Sequence, residues 1–173
     1  MRLNKFLWVF QMSLLWLCNC SSRQSLDHRE RPDIKPFEAD ITNSNYAMAN
    51  AVLIIFTDKE IKIVLKSYLV GAKDSLLFAK GLPLSDTLKE ISEINIRELK
   101  GYYSNPCIAD GSQITVVIKK DGIEKSVHLS NYYQDDIGKL IFLVNFLVPK
   151  NYKIWYDKQR LQAQYKECIG SKN

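Results

Sequence analysis

Hydrophobic and polar residues alternate along this chain with two periods, and the points where the period changes divide it into elements. Ala51 to Thr57, AVLIIFT, is a continuous apolar run of strong β-formers, and Asp58-Lys59 after it is a candidate turn. In Glu60 to Lys66, Ile61, Ile63 and Leu65 alternate with Lys62, Val64 and Lys66, the pattern of a strand with one buried face. Gly71 to Ser75 break that pattern, and Leu76 to Ala79 is long enough for a short third strand, so three antiparallel strands are expected here. Gly81 and Pro83 close the module. Ser85 is a plausible N-cap for a helix that carries Leu84, Leu88, Ile91 and then Ile94 or Asn95 at helical spacing. Beyond Ile94 the period weakens, and Asn95 to Lys100 reads either as more helix or as an irregular crossing that buries Ile96 and Leu99.

The second half is more tightly specified. Asp121-Gly122 is a preferred two-residue type I′ turn between β-rich runs, which pairs Lys120 with Ile123 and sets the register outward from there. Ile114 then faces Leu129, Val116 faces Val127 and Ile118 faces Lys125 on one side of the ribbon. Thr115 with His128, Val117 with Ser126 and Lys119 with Glu124 share the other. Apolar pairs sort to one face and a favourable charge pair to the other, as a real hairpin requires. Asp135 and Asp136 suit the positive end of a helix whose stripe is Ile137, Leu140, Ile141, Val144, Leu147 and Val148, with Pro149 as its stop. Phe142 and Phe146 lie off that stripe; burial against the three-strand module is the expected fate, and a surface presented to a partner is the other. Lys153 to Asp157, KIWYD, reads as a last strand, and Leu161, Tyr165 and Cys168 as a short terminal helix. The fold class is α+β, a small antiparallel sheet packed with two to three helices.

The N-terminal part has a different texture. Arg2 and Lys5 precede an apolar run from Phe6 to Leu17, followed by Cys18, Asn19, Cys20 and two serines, the anatomy of a secretory signal. The run is shorter than the roughly 20 apolar residues of a spanning helix. A cysteine after such a run resembles the lipidation site of bacterial lipoproteins. That resemblance implies attachment at Cys20 (or Cys18), with Ser21 to Ser25 beginning a polar tether. The signal on a Lys-, Asn- and Ile-rich chain is similar to small lipoproteins of Bacteroidota, over about 20 residues. The expected organisation is a signal at 1–20, a flexible polar tether carrying Pro32 and Pro36 at 21–45, and one α+β domain at 46–173.

Composition adds little beyond an ordinary globular balance, 46% hydrophobic and 25% charged over 173 residues. The chain holds 24 basic and 19 acidic residues; losing Arg2 and Lys5 with the signal leaves 22 against 19, a formal charge of +3. Charges of both signs are interspersed, with no basic stripe of the kind nucleic acid needs. Beyond the signal only His28, His128, Cys107 and Cys168 could serve as soft metal ligands, in unrelated contexts, so neither metal nor cofactor is expected. Cys107 and Cys168 are instead a candidate disulfide for an oxidising compartment.

Chemistry is sparse. The enzymatic arrangement on offer is a nucleophile at Cys107 or a serine, with His128 as base and Asp135 or Asp136 as orienter. A strand histidine and a helix start explain the last three better, and no catalytic motif is present, so the chain is not expected to be an enzyme. Aromatic residues are the remaining candidates: Tyr102 and Tyr103, Tyr132 and Tyr133, then Tyr152, Trp155 and Tyr156 flank the hairpin and helix. The plainer reading packs one ring of each pair at the core edge and leaves the other at the surface. The functional reading gathers Tyr103, Asn105, Asn131, Tyr132, Tyr133 and Trp155 into a patch for an envelope protein, a peptide or a glycan. The expectation is an exported, lipid-anchored, non-catalytic binding protein of the bacterial envelope or periplasm; an inhibitor or immunity-type protein that blocks a secreted enzyme is the alternative.

Overall fold

A computed structural model describes residues 33–43 and 50–170. Seven strands form one sheet: β1 (Phe37–Asn43), β2 (Asn50–Thr57), β3 (Glu60–Ser67), β4 (Ser75–Gly81), β5 (Tyr102–Ser104), β6 (Gln113–Lys120) and β7 (Ile123–Ser130). Among the described residues three α-helices accompany them, α1 (Asp86–Ser92), α2 (Asp135–Leu147) and α3 (Lys158–Gly170). The strand order is β4-β3-β2-β1-β6-β7-β5, antiparallel throughout except for the three-residue β5, which pairs parallel with β7. Fold class α+β is therefore established.

The centre of this sheet is a strand that the sequence reading assigned to the flexible tether. β1 lies between β2 and β6, and by pairing with both it fuses the β2-β3-β4 meander and the β6-β7 hairpin into one sheet. Its local signal is real but short. Phe37, Ala39 and Ile41 alternate with Glu38, Asp40 and Thr42, too few residues to stand out beside Pro32 and Pro36. The tether boundary at residue 45 is thus corrected: the folded part includes residues 37–43.

The pairings build continuous apolar rows. Val127, Val116, Ile41, Ile54, Ile63 and Phe78 stand opposite one another across six strands, and Ile118, Ala39, Phe56 and Ile61 form the row beside them. The β6-β7 register matches the one counted from Asp121-Gly122 at every pair. Both turn residues adopt positive φ, 53° at Asp121 and 72° at Gly122, as a type I′ turn demands.

Among the described residues, helices cover only this face. Leu88 and Ile91 of α1, then Ile94, Ile96 and Leu99, then Ile137, Leu140, Ile141 and Val144 of α2 bury into one cluster with the strand rows. Ser85 caps α1 by accepting the Leu88 N–H at 3.2 Å. The helix ends at Ser92, so the segment from 93 to 100 is the irregular crossing, with Ile96 and Leu99 buried as that alternative required. On the other face Glu38, Asp40, Thr42, Thr115, Val117 and Lys119 are partly exposed, as alternation predicts for a sheet covered on one side. The expected strand over 153–157 does not form. Asn145 of α2 clamps that segment instead, donating to the Ile154 carbonyl and accepting its N–H, both at 2.7 Å. Those side-chain bonds take the place of a ladder.

Candidate binding surface

The aromatic pairs at the ends of the hairpin are mostly half-buried and pack on one another. Tyr103 stacks on Tyr132 with centroids 5.4 Å apart, and Tyr132 meets Tyr165 of α3 edge-on at 5.0 Å. This run of rings joins β5, the β7-α2 connection and the last helix. Tyr133 stacks on Tyr156 at 4.8 Å and lies over Gly138, where a Cβ would come within 2.0 Å of its hydroxyl. Glycine at that helical position is what lets the ring settle on α2. The Tyr156 hydroxyl accepts the Gln134 N–H at 2.8 Å and donates to the Tyr132 carbonyl at 3.1 Å. Burial pushes its pKa far above the ordinary phenol value.

The two asparagines belong to the same framework. Asn131, at 6% exposure, accepts the Ser112 N–H on Oδ1 at 2.9 Å and donates from Nδ2 to the Asp110 carbonyl, clipping the loop before β6. Asn105, at 2% exposure, accepts the Cys107 N–H and donates its own N–H to the Ser130 carbonyl. Two residues on, Cys107 is bonded to Cys168 with a Cα separation of 5.7 Å, which ties α3 to this loop. Trp155 alone of the six patch residues is substantially open, with the Arg160 guanidinium 5.2 Å from its ring centroid. The structure therefore brings Tyr103, Tyr132, Asn105 and Asn131 together as packing around β7 and the disulfide, and it does not gather the six into one open surface. Cys18 and Cys20 lie outside the described residues, as does His28.

The candidate catalytic groups are equally accounted for. Cys107 has no thiol to offer. His128 sits on the open face of the sheet between two neighbours: its Nε2 bonds Gln113 Oε1 at 2.9 Å and its Nδ1 bonds Thr115 Oγ1 at 3.1 Å. Because Gln113 Oε1 can only accept, Nε2 carries the proton, and in the neutral ring Nδ1 accepts from the threonine hydroxyl. Gln113 in turn donates to Ser130 Oγ at 2.9 Å, and Tyr102 stacks on the imidazole with its centroid 5.4 Å away. Asp135 pairs with Lys158 at 2.7 Å, joining the first turns of α2 and α3, and Asp136 is 3.6 Å from Lys139 on its own helix. Among the described residues no three histidine, cysteine, aspartate or glutamate side chains are grouped to hold a metal ion.

An apolar surface stays open on α2. Phe142 and Phe146 are 73% and 79% exposed, so the expectation that they bury against the first sheet module is corrected. The stripe Ile137, Leu140, Ile141 and Val144 already fills the space over the sheet, and residues at 142 and 146 point away from it by helical geometry. With Leu143 and Leu147 they form one wall of a groove whose other wall is Leu82, Pro83 and Leu88, around the start of α1. Its volume is about 400 Å³, and Ser85 and Thr87 are its polar lining. Sequence reasoning saw that the two phenylalanines were off the stripe; it could not see that α1 would lie close enough to make a second wall. No protein-family model, curated protein or solved structure matches this chain.

Proposed function

We propose that this chain is an exported, lipid-anchored, non-catalytic interaction protein of the bacterial envelope that holds an apolar segment of a partner protein between α1 and α2. The groove supports this reading. Two phenylalanines one helical turn apart, left open beside leucines and a proline, make a contiguous apolar surface of the kind that marks an interaction site. Its lining is poor in the polar groups that a glycan requires, which favours aliphatic or aromatic side chains as the guest. The charged start, apolar run and Cys20 (or Cys18) of the sequence support export and lipid attachment. The Cys107–Cys168 disulfide is compatible with an oxidising compartment.

Capture from the native envelope fraction tests the reading, with the tagged chain compared against a Phe142→Ser/Phe146→Ser variant. Both residues are exposed, so the variant keeps its fold and disulfide. The expected result is one predominant partner retained by the parent and lost by the variant. Equal retention by both would remove the groove from the proposal. A tight stoichiometric complex that suppresses the turnover of one secreted enzyme would replace it with the inhibitor reading.

A further inference from the structure

Away from the groove, the connection between β3 and β4 carries Tyr68, Leu69 and Val70 at exposures of 68%, 59% and 106%. Three consecutive large apolar side chains in water are unusual for a loop, and here they are displayed by an ordered neck. Lys66 Nζ donates to Asp74 Oδ2 at 2.5 Å, the Ser67 N–H donates to Asp74 Oδ1 at 3.2 Å, and the Ala72 N–H closes the tip on the Leu69 carbonyl at 3.1 Å. The side chains have therefore not collapsed onto the sheet, and the tip presents them to solvent.

The residues around the neck are polar and biased in charge. Between 66 and 75 two lysines, Lys66 and Lys73, stand against one aspartate, Asp74, which is already paired with Lys66. Lys73 is exposed and supplies the surplus positive charge. Leucine and valine within the turn, tyrosine before it and the surplus charge of Lys73 after it supply the three chemistries of a lipid interface: acyl chains, headgroup level, phosphate. A protein partner would ask for a complementary pocket; a bilayer asks only for this order of polarity.

We propose that the β3-β4 tip inserts into an anionic bilayer surface, with Leu69 and Val70 at the acyl boundary, Tyr68 among the headgroups and Lys73 against the phosphates. This contact lies in the interface and does not cross the membrane. No described helix is long and apolar enough to cross one. It uses a different surface from the groove, so either can fail without the other.

The test is local to the tip, because the N-terminal apolar run can bind vesicles by itself. The full chain is mixed with vesicles of phosphatidylcholine and phosphatidylglycerol, and amide exchange is followed over residues 67–72. Protection on adding vesicles is expected, and the Leu69→Ser/Val70→Ser variant should lose it, each substitution weakening insertion about 10-fold. In a Leu69→Trp variant, lipids brominated on the acyl chains should quench fluorescence beyond the level seen for the parent chain. Unchanged exchange at the tip, or no excess quenching, overturns the proposal. So does protection of the same strength on vesicles of phosphatidylcholine alone, or protection that arises only in a soluble protein complex.

Discussion

Breaking the Cys107–Cys168 bond is the perturbation whose size follows most directly from the structure. The bond closes a separation of 61 residues, from the loop after β5 to the last turn of α3. In the chain-entropy description a closed loop of that size restricts the unfolded chain by about 4 kcal/mol, between the values for 15- and 100-residue loops. The Cα separation of 5.7 Å is within the ordinary range for such a bridge. A Cys107→Ser/Cys168→Ala variant removes the bond with small substitutions, since Cys107 is exposed and Cys168, at 4% exposure, is replaced by a small apolar residue. Urea unfolding followed by circular dichroism should show a loss of about 4 kcal/mol and a steeper dependence on urea, because the uncrosslinked unfolded chain exposes more surface. At roughly 3 °C per kcal/mol for a domain of this size, the melting temperature should fall by about 12 °C. A loss under about 1 kcal/mol with an unchanged slope would refute the reasoning, because it would mean that the unfolded chain is already compact between these two points.

Three further outcomes are expected. Leu140→Ala, at 0% exposure beneath α2, should cost about 2–5 kcal/mol in the same unfolding assay, whereas Phe142→Ala two residues along should change stability by less than about 0.5 kcal/mol. Gly122→Ala should cost about 1–2 kcal/mol from backbone strain alone, because φ is +72° and nothing lies within 4 Å of the added methyl; an unchanged stability would mean that the turn can reshape. Asp40 lies on the central strand, where burial raises its pKa, in opposition to the attraction of Lys119, so the folded chain holds that proton more tightly than the unfolded one. The ionised carboxylate therefore detracts from stability above its folded pKa, and the penalty disappears as pH falls below the unfolded value. Asp40→Asn should gain on the parent at neutral pH and lose that advantage in acid; a variant less stable at pH 7 would show that the Lys119 contact outweighs burial.

The sequence by itself determined several features that depend on neighbours close along the chain. The Asp121-Gly122 turn needs only two residues with positive φ, and once it is set each β6-β7 pair follows by counting. The Ser85 cap of α1 and the apolar stripe of α2 are likewise local, and the even pair of cysteines in an export context was enough to suggest the disulfide. Only the tertiary structure decided the place of β1, because seven residues with three apolar side chains become the middle of a sheet through partners from 50–57 and 113–120. It also decided that residues 153–157 bond to Asn145 rather than to a strand, and that most of the tyrosines face one another. Tyrosine spacing in the sequence is the same whether a ring meets water or another ring. The difference lies in which distant element fills the space beside it, and for Phe142 and Phe146 no described element does.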